Sequence, residues 1–173
     1  MKILGAIIAG GKSSRFDGDK GAALLNGRAL IDHVADGLRP QVDALVIVGR
    51  DWPTLERVED RPAPDMGPLG GLCGSLSYAA TNGFDAVMTA GCDVLPVPII
   101  AQFGIVDGHY LFGLWPAPFA AALDHHLATQ TNHSMRHWIA TSSAEINPAP
   151  HPFYNLNTRA DFMLYEAQQG LAA

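Results

Sequence analysis

Lys2-Ile3-Leu4-Gly5-Ala6-Ile7-Ile8-Ala9-Gly10-Gly11-Lys12-Ser13-Ser14-Arg15-Phe16-Asp17-Gly18-Asp19-Lys20 is the stretch whose reading decides the fold. Its opening residues, through Ile8, read as a short buried strand. The rest is a turn of paired glycines, hydroxyls and spaced cations. A strand running into such a turn is how an α/β protein holds a polyphosphate. Backbone N–H groups of a glycine-rich turn converge on one concavity, and without a Cβ the chain can approach an anion closely. Arg15 and Lys20 add full positive charges where the N–H groups supply partial ones. A tight strand-to-helix turn would account for Gly10 and Gly11 but not for Ser13, Arg15 and Lys20 behind them. The spacing matches neither the P-loop nor the GxGxxG dinucleotide pattern.

Outward from this stretch, short apolar runs alternate with helical patterns. Leu30, Ile31, Val34, Ala35 and Leu38 have helical spacing over 29–38, closed by Pro40. Residues 44–48 form an apolar strand, 53–58 suit a short helix or helical turn, and 61–66 a proline-rich loop. Gly67-Pro68-Leu69-Gly70-Gly71 opens a helix to about 80, and 86–90 is a further buried strand. Residues 110–115 give another strand, and helices follow from Phe119, over 134–140 and over 159–169. Buried strands separated by helices imply a parallel sheet covered on both faces. The expectation is one α/β domain over 1–173, without repeats or linkers.

In open parallel sheets, ligands bind beyond the carboxyl ends of the strands. The first loop, the Gly67 turn and Asp93 all fall there. Asp93, just past a buried strand, is a natural Mg²⁺ ligand able to bridge the ion to nucleotide phosphates; its plainer alternative is a helix cap or ion-pair partner. Asp60 follows the strand-like 57–59 and can face the same cleft, or be a simple loop carboxylate. Asn155 and Asn157 are two apart, so in an extended segment both amides point one way. Asn157 or Thr158 can also cap the last helix.

Composition narrows the classes further. The 173 residues carry a net charge of −6 and no lysine/arginine cluster, which argues against nucleic acid as a partner. No apolar run is long enough to cross a bilayer, and Lys12 and Arg15 follow 3–9 too soon for a secretory signal. Cys73 and Cys92 lack ligand spacing and read as reduced thiols of a cytoplasmic protein. The seven histidines show no metal-ligand spacing.

Four segments resemble the molybdenum cofactor guanylyltransferases, a branch of the nucleotidyltransferases. They are Ile8-Ala9-Gly10-Gly11 through Arg15 to Asp19-Lys20; Asp60 with Gly67-Pro68-Leu69-Gly70-Gly71; Cys92-Asp93; and Asn155-Leu156-Asn157-Thr158. The resemblance implies a three-layer sandwich with a mostly parallel, Rossmann-like sheet, like that of the nucleotide-diphospho-sugar transferases. It implies transfer of GMP from GTP to molybdopterin, with release of pyrophosphate. By it, Ile8, Ala9, Gly10, Gly11 and Ser13 contact the nucleotide. Lys20 and Arg15 contact the phosphates, and Asp60 with Gly67, Pro68 and Leu69 the nucleoside. Asp93 holds Mg²⁺, and Asn155 and Asn157 face the pterin. The implied protein is a monomer that meets cofactor-insertion or chaperone proteins. The alternatives are a cytidylyltransferase on the same cofactor or another small acceptor, disfavoured by glycine at position 10, and a catalytically weak binding protein.

Three departures from that family's pattern stand out. Asp17 replaces a usual glycine, no asparagine precedes Arg50, and the link from Asp93 to His109 is short. Relatives fit a helix and a strand in that link, where Pro96, Pro98 and Gly104 here leave room for one helical turn and an extended piece.

Overall fold

A computed structural model describes residues 1–10 and 19–171. Among the described residues, eleven strands and five α-helices follow one another. The strands are β1 (Ile3–Ile8), β2 (Leu24–Leu25), β3 (Arg28–Ala29), β4 (Ala44–Val48), β5 (Glu56–Val58), β6 (Ala86–Gly91), β7 (Val94–Leu95), β8 (Gly104–Val106), β9 (His109–Pro116), β10 (Ile146–Asn147) and β11 (Tyr154–Asn155). The helices are α1 (Leu30–Leu38), α2 (Gly67–Thr81), α3 (Phe119–Thr129), α4 (Met135–Thr141) and α5 (Arg159–Leu171).

Seven strands form one sheet in the order β10-β8-β9-β6-β1-β4-β5. β1 lies parallel to both β4 and β6, β4 to β5, and β8 to β10; only β9 runs antiparallel to its neighbours. The sheet is therefore mostly parallel and covered on both faces, as the alternation of runs implies. Period-2 side chains divide it into two cores. Leu4, Ala6 and Ile8 join Val46 and Val48 beneath α2, α3 and α4. Ile7 and Ile47 join Met88 and Leu114 beneath α1 and α5. All of β6 is buried, as a central strand sandwiched between helix layers must be.

Residues 53–58 depart from expectation. Instead of a helical turn, Glu56–Val58 pairs with β4, Val48 opposite Val58. A helix this short forms too few internal bonds to repay nucleation, whereas the open edge of β4 offers a ready ladder. The link from Asp93 to His109 contains β7 and β8 and no helix, so the strand of that link is present and the helical turn is not. The Asn26-Gly27 pair closes a β2–β3 hairpin with both residues at positive φ, 49° and 77°.

Helix α2 approaches β1 and the chain after β5 closely because it carries glycine where they meet. A Cβ on Gly71 would lie 3.0 Å from the Ile8 side chain, and one on Gly74 only 2.0 Å from the Glu59 carbonyl oxygen. Helix propensity alone favours alanine over glycine by about 1 kcal/mol. The overlap with backbone outweighs it, so Gly74→Ala is expected to lower stability by about 1–3 kcal/mol. Urea denaturation followed by circular dichroism measures this, and a neutral or stabilising result would contradict the packing described.

Candidate functional site

The order β6-β1-β4-β5 means that the chain leaves β1 in one direction and returns to its other side through α2. β1 and β6 thus flank a topological switch point, where an open α/β sheet forms its crevice. A hollow of about 230 Å³ occupies that position. Ile8, Ala9 and Gly10 enter it from the end of β1, Cys92 and Asp93 from the end of β6, and Asp60 from the segment after β5. Gly67 and Pro68 close one side at the start of α2, and Lys20 reaches in from the chain after the glycine-rich turn.

Lys20 and Asp93 are an ion pair, Nζ to Oδ2 at 2.8 Å. The lysine side chain is 12% exposed and the aspartate 30%, so solvent screens the pair only in part. Lys20 Nζ also donates to Asn157 Oδ1. Its neighbour Asp19 accepts the N–H groups of Gly21 and Ala22 at 3.1 and 3.3 Å, bending the chain. Asp19 is in turn gripped by both terminal nitrogens of Arg50, one at 2.6 Å. This guanidinium holds the Asp19 carboxyl below its ordinary range. Arg50 lies over the Trp52 ring, 5.4 Å from its centroid, and Trp52 Nε1 donates to Asp32 in α1 at 2.9 Å. The segment bearing Lys20 is therefore braced against β4 and α1.

Gly10 and Gly49 cross with almost no space between them. A Cβ on Gly49, at φ +81°, would fall 2.7 Å from Gly10 Cα, and one on Gly10 would fall 3.3 Å from Gly49 Cα. Asp60 sits beside this crossing, 8% exposed, and burial raises its pKa.

A second hollow of about 320 Å³ adjoins the first and shares Pro68, Asp93 and Leu111 with it. His109, Phe112 and Asn155 help line it. The Phe153 ring packs on His109 and Phe112, with centroids 4.4 and 5.4 Å away. Antiparallel pairing of β7 with β11 sets Asn155 opposite Val94, one residue from Asp93.

Of the residues singled out in the sequence, Ile8, Ala9, Gly10, Lys20, Asp60, Gly67, Pro68 and Asp93 meet in the first hollow, and Asn155 stands in the second. Leu69 does not join them: its side chain is fully buried among Val58, Leu72 and Leu76, because it projects from the core side of α2. Gly11, Ser13, Arg15 and Asp17 lie outside the described residues. Thr158 rather than Asn157 caps α5, its Oγ1 accepting the Asp161 N–H at 3.2 Å while the Asp161 carboxylate accepts the Thr158 N–H at 2.7 Å. Sequence reasoning missed the Arg50–Asp19 brace and the His109–Phe153 wall. Aromatic residues recurring over 109–112 and 151–154 were the available signal for the wall.

Strand ends converging on a lysine–carboxylate pair at a switch point define a nucleotide-binding α/β protein of the nucleotidyltransferase kind. The sequence model of the MobA-like NTP transferase domain matches residues 5–104, and the chain belongs to that family. It is 29% identical over 202 residues to a molybdenum cofactor guanylyltransferase of Rhizobium leguminosarum, across 99% of this chain and 94% of the relative. A putative molybdenum cofactor guanylyltransferase of Neisseria meningitidis is 39% identical over 117 residues, 62% of this chain and 61% of the relative. Among solved structures, the molybdopterin-guanine dinucleotide biosynthesis protein A of Archaeoglobus fulgidus superposes with a TM-score of 0.67 at 17% identity, covering 97% of this chain and 99% of that one. That likeness shows the fold.

Proposed function

We propose that residues 1–173 act as one nucleotidyltransferase domain that moves GMP from GTP to molybdopterin and releases pyrophosphate. The observation that carries the reading is the Lys20–Asp93 pair at the mouth of β1 and β6, inside a hollow floored by backbone at Ala9 and Gly10. The triphosphate lies against the end of β1 with Lys20 on its oxygens, and the base lies toward Asp60, Gly67 and Pro68. The acceptor occupies the second hollow, where His109, backed by the Phe153 ring, offers a ring face to a heterocycle and Asn155 offers both a donor and an acceptor.

In the transfer, an acceptor phosphate oxygen forms a bond to the α-phosphorus of GTP. The bond from that phosphorus to the bridging oxygen of the β-phosphate breaks, and pyrophosphate carries away the electron pair. The attacking oxygen is already ionised, so the site needs no strong base. Its residues contribute alignment and charge. Lys20 holds the phosphates, and the two hollows meeting at Asp93 bring the reacting atoms together.

The donor set fits Mg²⁺ that arrives with the nucleotide. Among the described residues no group of three histidine, cysteine or acidic side chains could cage a metal. Asp93 offers a partly exposed carboxylate, and Mg²⁺ commonly takes one or two carboxylates plus substrate phosphates. When bound it supplies neutralisation of charge on the phosphate oxygens. We further propose a cytoplasmic monomer that passes its product to a cofactor-insertion or chaperone protein.

Gly10 favours guanylyl over cytidylyl transfer, since a side chain there would press on Gly49 and narrow the floor. Titration of the chain with GTP and with CTP, each with Mg²⁺, tests this. GTP is expected to bind at least about tenfold more tightly, a difference of roughly 1.4 kcal/mol. Tighter CTP binding would overturn the base assignment. Nucleotide binding without pyrophosphate release in the presence of molybdopterin would favour a binding protein.

A further inference from the structure

We infer that Asn157 is a positioning residue of the reaction, whose amide oxygen holds the Lys20 ammonium over the nucleotide hollow. The inference rests on reading that hollow as the GTP site. It gives Asn157 a duty toward the donor nucleotide, whereas the family resemblance places it beside the pterin.

Three remote parts of the chain close a ring here. Lys20 Nζ donates to Asp93 Oδ2 at 2.8 Å and to Asn157 Oδ1, across separations of 73 and 137 residues. The ring is completed through the backbone, where the Leu156 N–H donates to the Asp93 carbonyl at 2.8 Å. Leu156 is fully buried in the core beneath α1 and α5, which fixes that end. On the other side, the Asp161 carboxylate accepts the N–H groups of Asn157 and Thr158 at 2.9 and 2.7 Å. Asn157 is therefore held on both flanks, and its side chain has a fixed place from which to hold the lysine.

A lysine needs such a second anchor. Its four-carbon stem has many rotamers, and the ammonium is a point charge with three donors and no preferred direction. A single carboxylate leaves the ammonium free to swing about it. Among the described residues, Asp93 and Asn157 are the two side chains that accept from the ammonium. One N–H is left over for a ligand in the hollow that Lys20 lines. A neutral amide suits the task better than a carboxylate, which would hold the ammonium equally well but repel a polyphosphate. Asn155, two residues earlier, lines the second hollow, so one short segment serves both substrates.

The test uses the full chain and two measurements. The first needs no nucleotide. Lys2, Lys12 and Lys20 are the only lysines in the sequence, so acylation with a succinimidyl ester followed by peptide mapping reports Lys20 against the exposed Lys2. Asn157→Ala is expected to raise Lys20 labelling relative to Lys2 about tenfold, as loss of a hydrogen bond to a charged group should. Asn157→Asp, which keeps the oxygen, is expected to label like the unaltered chain. The second measurement is GTP titration without acceptor. Asn157→Ala is expected to weaken binding by about tenfold, and Asn157→Asp to weaken it through charge while Lys20 stays protected. In a Lys20→Ala background, Asn157→Ala should cost nothing further.

Unchanged Lys20 labelling in Asn157→Ala would overturn the inference. So would unchanged GTP affinity with only the acceptor KM raised. If the unaltered chain fails to bind GTP, the functional reading falls, while the labelling result still decides whether Asn157 holds Lys20.

Discussion

Asp93→Ala is expected to lower the rate of GMP transfer by at least about 100-fold, the scale seen when one preorganised electrostatic group is removed from a reaction centre. Among the described residues Asp93 is the one carboxylate that borders both hollows, so its loss affects donor and acceptor alike. The effect should fall on kcat, because the charge it manages develops as pyrophosphate departs. The fold should survive, since the backbone carbonyl of residue 93, which holds Leu156, is retained. Asp93→Asn should behave almost as badly while preserving size and leaving Lys20 a neutral acceptor. Pyrophosphate release from GTP with molybdopterin and Mg²⁺ gives the rate, and thermal melting reports the fold. A rate within tenfold of the unaltered chain in a well-folded variant would remove Asp93 from the reaction.

Lys20→Ala should produce the other large loss, about 100- to 1,000-fold in kcat/KM. Here part of the effect should appear as weaker GTP binding, because the ammonium meets phosphate in the ground state as well as during transfer. Without Mg²⁺ in solution, its removal also leaves Asp93 as an unpaired negative charge facing the polyphosphate. Under that metal-free condition the double variant Lys20→Ala/Asp93→Ala should therefore bind GTP better than Lys20→Ala alone. Direct titration of the three variants measures this ordering, and the reverse ordering would mean that the two side chains do not act on the same ligand.

How much of this was legible in the chain follows from the range of the signals. β1, β4 and β6 are continuous apolar runs, and α3 announces itself by Phe119, Leu123 and Leu127, so local periodicity sufficed. Asp93 was legible because it follows a buried strand and Asp60 because it follows a strand-like run, and ligands gather beyond strand ends. The segment over 53–58 misled because its partner decides its state: nothing within it reveals the vacant edge of β4. The same holds for the ribbon of β7 with β11, which brings Asn157 within reach of a lysine 137 residues away. No spacing rule carries information over that distance. Arg50 was visible only as a charge after a strand; its grip on Asp19 depends on two loops meeting in space.

The crossing of Gly10 and Gly49 constrains how such a chain can change over evolutionary time. Each residue leaves the room the other occupies, and Gly49 additionally needs its left-handed backbone. An ancestor acquiring a methyl group at position 49 would have collided with the Gly10 main chain, and one at position 10 would have required Gly49 to give way by a few tenths of an ångström, before gaining any new preference for a base. Moves toward a different nucleotide must therefore come as coordinated pairs, with the loop after β4 retreating first, and single-site mutagenesis libraries should find this corner barren.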